Sequence, residues 1–486
     1  MHSSNVARRS RRLVSWPVSA AVVFILGAGA ARAETTSSSS VNLPGWDFEC
    51  AGISIPGFGK GTWTSVDDEG RVRVRIRKSG STIKMNSDGE ITPNEDDTDI
   101  ADVEPGGHFE LEERRFGRAA HKILVFRTSG GTLERRYYVG RKQKPFDEEG
   151  RTWLAATLPV IYRNTTLAAP SRVRRLLARG GAAAVLAEVD KMSSDHVARA
   201  YYSELLKQGS MGPEGVQKVV EHAGHHLDSD YELAQLLVGV LDEEHALSEE
   251  LALACAEATR SLDSDYERGR VLKAVVDRNP ASATMMKAVL RAAQAMNSDY
   301  ETAQILVRVA KRFPVDAATT PEFFAVIQKM NSSYEARRAL AQVVEHGKRS
   351  PETARAVLTG AAVLSSDYER TELLRALARD EGWELGRDAA EAYVAAVADL
   401  GSDYERGRAL TALLKRRGLD AATVHAVVAA TASMSSDYER AGILLHVVET
   451  HGNDAEVRTA LREAAEEIDS DHERQRVLAA LGRSGR

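Results

Sequence analysis

Apolar and polar residues alternate one for one from Arg71 to Arg77 (Arg-Val-Arg-Val-Arg-Ile-Arg), the period of a strand with one buried face. Shorter runs of similar character, Phe109 to Glu113, Lys122 to Arg127 and Thr132 to Val139, are separated by glycine-rich turns such as Ser129-Gly130-Gly131. The stretch 46–146 is therefore predicted to be a small antiparallel β domain, a meander of five to seven strands forming a sandwich or an open barrel. Near Asp147 the period lengthens to that of a helix. Before Met434, the residues Val424, Val427 and Val428 share one helical stripe; beyond it Tyr438, Ala441, Leu444 and Val448 share another.

This helical pattern repeats. The strings MSSDH (Met192 to His196), LDSDYE (Leu227 to Glu232), LDSDYER (Leu262 to Arg268), MNSDYE (Met296 to Glu301), MNSSYE (Met330 to Glu335), LSSDYER (Leu364 to Arg370), LGSDYER (Leu400 to Arg406), MSSDYER (Met434 to Arg440) and IDSDHER (Ile468 to Arg474) recur every 34 to 36 residues. A period of this length fits two helices and two tight connections, a unit too small to bury its own apolar face, so that successive units must stack. The fold class expected is α+β multidomain: the β domain, then a right-handed α-α solenoid of about nine helix-pair repeats over 147–486.

Five of the strings are read as capping boxes by their Ser-x-x-Glu spacing. In Ser229/Glu232, Ser264/Glu267, Ser298/Glu301, Ser402/Glu405 and Ser436/Glu439, the Ser oxygen is expected to accept from the third helical N–H while the Glu reaches back to the cap N–H. The Asp between them falls where a negative charge meets the positive end of the helix dipole. No cap requires the aromatic ring. Because small residues follow it by three (Ala234, Gly269, Ala303, Gly407, Ala441), Tyr231, Tyr266, Tyr300, Tyr334, Tyr368, Tyr404 and Tyr438 are expected to pack across repeat junctions as a ladder, the alternative being a ligand-facing stripe. His196 and His472 replace the tyrosine in the first and last units.

The array of SDYE strings resembles the TPR- or HEAT-like helical repeat regions of exported bacterial proteins of unknown role. It is similar to repeats near the sensor parts of antirepressor-type membrane metallopeptidases, a resemblance that reaches back over the strands of Asp99 to Asp147. It implies a solenoid and no catalytic role, since the chain carries no H-E-x-x-H. The W-LG-Y signature of TPR repeats is also missing, so the likeness to them is architectural.

Composition then narrows the class. At 486 residues with 43% hydrophobic and 28% charged residues, the chain is neither a disordered polymer nor a polytopic membrane protein. Arg8, Arg9, Arg11 and Arg12 precede an apolar run from Leu13 to Ala30 and then Ala31-Arg32-Ala33, the order of an export signal spanning 1–33, cleaved after Ala33. The alternative is an uncleaved anchor. A Ser/Thr-rich spacer at 34–45 follows. Cleavage removes five arginines and no acid, taking the formal charge from −6 to −6 − 5 = −11, which argues against a nucleic-acid partner. Export implies a periplasmic or extracellular address. Cys50 and Cys255 are the only cysteines and make no disulfide framework.

Other candidate chemistry is sparse. Glu221, His222, His225 and His226 are the densest set of potential metal ligands, yet they occur in one repeat only and read as a solvated helix end. Asp88, Glu90, Glu95, Asp96, Asp97, Asp99, Asp102 and Glu104 lack the spacing of a calcium loop and read as a solvated β connection. Cys50 reads as a small core residue. No metal and no cofactor are expected. The reading is a non-enzymatic exported scaffold that binds a protein or peptide partner through the solenoid and meets a membrane only through a retained leader. One alternative is an envelope sensor held by that leader. Another is a cell-envelope hydrolase of the β domain, which needs His108 or His121 gathered with two acids.

Overall fold

A computed structural model of the chain describes residues 41–43, 46–51, 61–66, 71–242, 249–278, 282–317 and 320–484. The expected leader, the spacer apart from 41–43, and the side chain of Cys50 lie outside the described residues.

Eleven strands occur among the described residues: β1 Val41–Leu43, β2 Trp46–Ala51, β3 Gly61–Val66, β4 Val72–Lys78, β5 Ser81–Asp88, β6 Ile91–Pro93, β7 Ile100–Val103, β8 His108–Arg115, β9 His121–Arg127, β10 Leu133–Val139 and β11 Lys142–Lys144. Nine form one antiparallel sheet in the order β1-β2-β3-β4-β5-β8-β9-β10-β11, and β6 pairs with β7 as a separate hairpin between β5 and β8. The strand number exceeds five to seven because segments as short as β1 and β11, three residues each, leave no readable alternation. Alternation places Val74 and Ile76 of β4, Ile83 and Met85 of β5, Phe109 and Leu111 of β8, and Ile123 and Val125 of β9 at 3% exposure or less.

That core is completed by a helix, α1 Glu148–Tyr162, through Trp153, Leu154, Leu158, Ile161 and Tyr162. The boundary drawn at 147 is thus the change from strand to helix and not the change of core: α1 belongs with the sheet. Periodicity could not assign the helix to either side, because its apolar stripe looks the same against a sheet as against another helix.

Eighteen α-helices follow among the described residues, in nine pairs: α2 Ala169–Val189 with α3 Asp195–Gln208, α4 Pro213–His226 with α5 Asp230–Asp242, α6 Glu249–Ala258 with α7 Asp265–Arg278, α8 Ala283–Ala293 with α9 Asp299–Arg312, α10 Pro321–Ile327 with α11 Ser333–His346, α12 Pro351–Ala361 with α13 Asp367–Arg379, α14 Arg387–Ala398 with α15 Asp403–Leu414, α16 Ala421–Ala430 with α17 Asp437–His451, and α18 Ala455–Glu466 with α19 Asp471–Arg483. Each second helix starts at a marker residue and packs against the second helix of the next pair; the first helices stack likewise, giving two layers. One apolar core runs between the layers from Ala169 to Leu481. Val424, Val427, Val428, Met434, Ala441, Leu444 and Val448 are buried in it as their spacing predicts, whereas Tyr438 is not. A fully buried leucine such as Leu444 stabilises such a stack by about 2–3 kcal/mol.

The acidic stretch ties the two cores together. Asp97, at the tip of the β6–β7 hairpin with φ of 58°, accepts from Nε of Arg172 at 2.7 Å and from Arg175. Arg179 donates to Asp96 and to the carbonyl of Glu95. Asp99 and Asp102 take Arg135 and Arg127, and Glu104 accepts from the N–H of Glu90. The expectation of a solvated connection is corrected at Asp97, Asp99 and Asp102, whose carboxylates satisfy arginines brought from α2 and from β9 and β10, which sequence distance concealed; Glu95, Asp96 and Glu104 are exposed. Arg172 is only 3% exposed, lies against the rings of Tyr162 and Tyr201, and also donates to Glu188 at 3.0 Å. Burial opposes ionisation of Glu188, but hydrogen bonds and charges from Arg163 and Arg172 more than offset it and pull its carboxyl down to about 2.

Candidate functional site

The repeated string can be followed atom by atom at the start of each second helix. Ser is the N-cap: its hydroxyl accepts from the N–H of the Glu three residues on, at 3.3 Å in Ser264/Glu267, Ser298/Glu301 and Ser436/Glu439 and at 3.4 Å in Ser229/Glu232 and Ser402/Glu405.

The reciprocal half of the predicted box is not made. The cap N–H of Ser264, Ser298, Ser402 and Ser436 donates instead to the Asp, or its equivalent, one repeat earlier: Asp230 at 2.6 Å, Asp265 at 2.7 Å, Asp367 at 2.8 Å and Asp403 at 2.8 Å. Asp195 serves Ser229 in the same way. The Asp read as a dipole partner is therefore above all a staple between repeats, a carboxylate hydrogen-bonded to backbone amides. Displaced from the cap, the Glu side chains take basic partners: Glu232 with Arg199, Glu267 with Arg270, Glu301 with Lys273 at 2.9 Å, and Glu405 with Arg408 at 2.8 Å. The Arg that ends the string closes the preceding helix, as when Arg406 donates to the carbonyls of Leu400 at 2.6 Å and Ala398 at 3.0 Å.

The tyrosine differs from all of these. Tyr231, Tyr266, Tyr300, Tyr334, Tyr368, Tyr404 and Tyr438 are 44 to 67% exposed, so they do not pack as a buried ladder. The small residues three positions on, the basis for that expectation, make room for the glutamate of the next repeat. A methyl group on Gly269 would come within 2.8 Å of Oε2 of Glu301, and one on Gly407 within 2.9 Å of Oε2 of Glu439. The sequence showed that something needed the space; only the packing shows what.

The rings stand at the second position of successive parallel helices, and long cations interleave with them. Arg408 lies over Tyr368 and Tyr404, at 5.9 and 5.7 Å from the ring centres, bridging two repeats, and Arg337 and Arg338 lie over Tyr334. The phenol of Tyr231 accepts from Gln235. Positions four residues after the tyrosine (Gln235, Arg270, Gln304, Arg338, Glu372, Arg408) extend the same helical face and were not singled out from the sequence; their polar character at i+4 from an aromatic was the available signal.

Elsewhere the candidate clusters divide. Tyr202 and His222 share a 2.6 Å hydrogen bond, and Nε2 of His222 lies 3.2 Å from Asp190 with His226 beside it. Glu221 and His225 are exposed on other sides of the helix, and no group of three or more His, Cys, Asp or Glu able to hold a metal occurs among the described residues. In the β domain His121 stacks on Trp153 and meets the Tyr137 hydroxyl at 2.6 Å, opposite Glu113. The two oxygens of Glu113 accept from Arg115 and from the indole of Trp153 at 2.8 and 2.9 Å. His108 pairs across the sheet with Asp88, away from this group. Cys255 is fully buried, and desolvation pushes its thiol up to about 12. Comparison of the chain with protein-family models and with curated proteins finds no match.

Proposed function

We propose that this protein is an exported, non-enzymatic scaffold that binds a protein or peptide partner across the tyrosine-led face of its solenoid. One observation carries the reading: in a motif whose Ser, Asp and Arg are consumed by capping, by stapling the repeats and by closing helix ends, and whose Glu is ion-paired in seven of eight cases, seven tyrosines stay exposed in register. A tyrosine repeated over seven successive helix pairs gains nothing in stability from half-exposure, whereas Tyr with Arg beside it suits a protein interface. Export is supported by the order of charge, apolar run and small residues in 1–33.

The test is capture by photo-crosslinking from the native cell envelope. The mature protein is compared with a variant carrying Ser at Tyr266, Tyr300, Tyr334, Tyr368 and Tyr404, and with a control carrying Ala at the exposed first-layer residues Glu352, Arg355 and Glu391. The tyrosine variant is expected to lose the partner at least tenfold with its melting temperature unchanged, while the control keeps it. Equal capture by all three proteins, or loss in the control, would refute the proposal.

A further inference from the structure

Three consecutive second helices, α13, α15 and α17, line a half-open cavity of about 430 Å³ among the side chains that follow the tyrosines. It exists because one repeat departs from the pattern. Seven of the eight motif glutamates have a basic partner, supplied from one of three places: three or seven residues after the marker aromatic position of the preceding repeat, as Arg199, Arg337 and Lys273, or three residues further along the Glu's own helix, as Arg270, Arg338, Arg408 and Arg476. For Glu439 those three places hold Gly407, Thr411 and Gly442. Glu439 is therefore the one motif glutamate without a basic partner among the described residues, and it lines the cavity. Its carboxyl is pushed up by burial and by the charge of Asp403.

The opposite wall is cationic. Arg375, Arg379, Arg408, Lys415 and Arg416 line the cavity against only Glu381 and Glu439, an excess of 5 − 2 = 3 positive charges. Arg375 and Arg408 are shared with Glu372, and Arg416 donates to the carbonyls that end α13. Arg379 and Lys415 have no ion-pair partner among the described residues. A hollow that sets two free cations against one lone acceptor is complementary to a group presenting a carboxylate and an N–H donor together. An acidic side chain and a neighbouring amide of a polypeptide supply both. The pitch also suits one: packed helices lie about 8–10 Å apart, the span of roughly three residues of extended chain at about 3.3 Å each.

We propose that this cavity anchors an acidic segment of the partner polypeptide, with a carboxylate on Arg379 and Lys415 and a backbone N–H on Glu439. This rests on the scaffold reading and names the chemistry of its partner. The test uses the full mature protein and fluorescein-labelled decapeptides, amidated at the C-terminus, with two central Glu, Gln or Lys residues in a Gly/Ser background. Binding is read by anisotropy at low and at physiological salt.

The Glu peptide is expected to bind, the Gln and Lys peptides at least tenfold more weakly, with affinity falling as salt rises. R379Q/K415Q should weaken the Glu peptide tenfold or more and E439Q about threefold to tenfold. Both changes are expected to leave the melting temperature in place, because Arg379 and Lys415 are exposed and Gln keeps the shape of Glu439. Indifference to R379Q/K415Q, equal binding of the Gln peptide, or displacement of the Glu peptide by an oligogalacturonate that binds more tightly would each overturn the proposal, the last by assigning the cavity to an acidic glycan. Should the peptide fail to bind while envelope capture still depends on the tyrosines, the cavity assignment falls and the scaffold stands; the reverse outcome places the partner site in the cavity alone.

Discussion

Replacing Asp403 and replacing Tyr404, neighbours in one motif, should have opposite consequences for stability. Oδ2 of Asp403 accepts from the N–H groups of Ser435 and Ser436 in the next repeat at 2.7 and 2.8 Å. A hydrogen bond to a charged group contributes about 1.5–3 kcal/mol, and removing the acceptor leaves both amides without a partner. As the two bonds share one oxygen and the site is half-solvated, Asp403→Ala should cost about 2–4 kcal/mol. Asp403→Asn keeps an acceptor without the charge and should cost about half as much. Tyr404→Ala removes a ring that is mostly in water and should cost about 0.5 kcal/mol or less. Because stacked repeats open locally, the assay is native-state hydrogen exchange of residues 431–440 in the full chain, where about 1.4 kcal/mol is a tenfold change in protection. Protection at Ser435 and Ser436 should fall roughly 30- to 700-fold in Asp403→Ala and about twofold or less in Tyr404→Ala. If Asp403→Ala stays within threefold of the parent, or Tyr404→Ala matches it, the division of the motif into stapling residues and a free aromatic is wrong.

The same bookkeeping of contacts predicts other changes. Ser333 stands where other repeats carry the stapling Asp and accepts from the N–H of Ser366 at 3.2 Å, so Ser333→Asp should stabilise that junction by about 1 kcal/mol, seen as slower exchange at Ser366. Gly442 has open space around its Cα, and Gly442→Ala should raise stability by up to about 1 kcal/mol through helix propensity; Gly269→Ala should gain nothing, because the methyl displaces Glu301 from Lys273. Comparable melting temperatures for the two alanine variants would count against that account. Glu188, whose folded carboxyl is lowered from 4.5 to about 2, contributes stability that is complete above about pH 4.5 and is lost as pH falls toward 2. Glu188→Gln should therefore flatten the dependence of melting temperature on pH between pH 4.5 and 2 and lower it above that range, and an unchanged acid slope would show that the contact of Glu188 with Arg163 and Arg172 does not titrate there.

The chain's repeats and its two periodicities were enough to give the α+β order, about nine helix pairs and the N-cap of the five second helices read as capping boxes, since caps and apolar stripes are local and depend on neighbours within four residues. Ser as N-cap follows from the same locality. What two of the motif's other letters do is decided about 34 residues away, at the next repeat, where Asp binds the following cap N–H and the small residue houses the following Glu, while Arg closes the helix end just before its own. A pattern in one repeat cannot distinguish a residue used by its own helix from one used by its neighbour, and the tyrosines were accordingly expected inside the junction when they stand outside it. The acidic hairpin likewise looked solvated until packing brought Arg172, Arg175 and Arg179 to it from some 75 to 84 positions away. Local interactions, in short range along the chain, are written in the residue order; complementarity between side chains that only stacking brings together is set by the tertiary structure, because burial and charge pairing depend on distance in space.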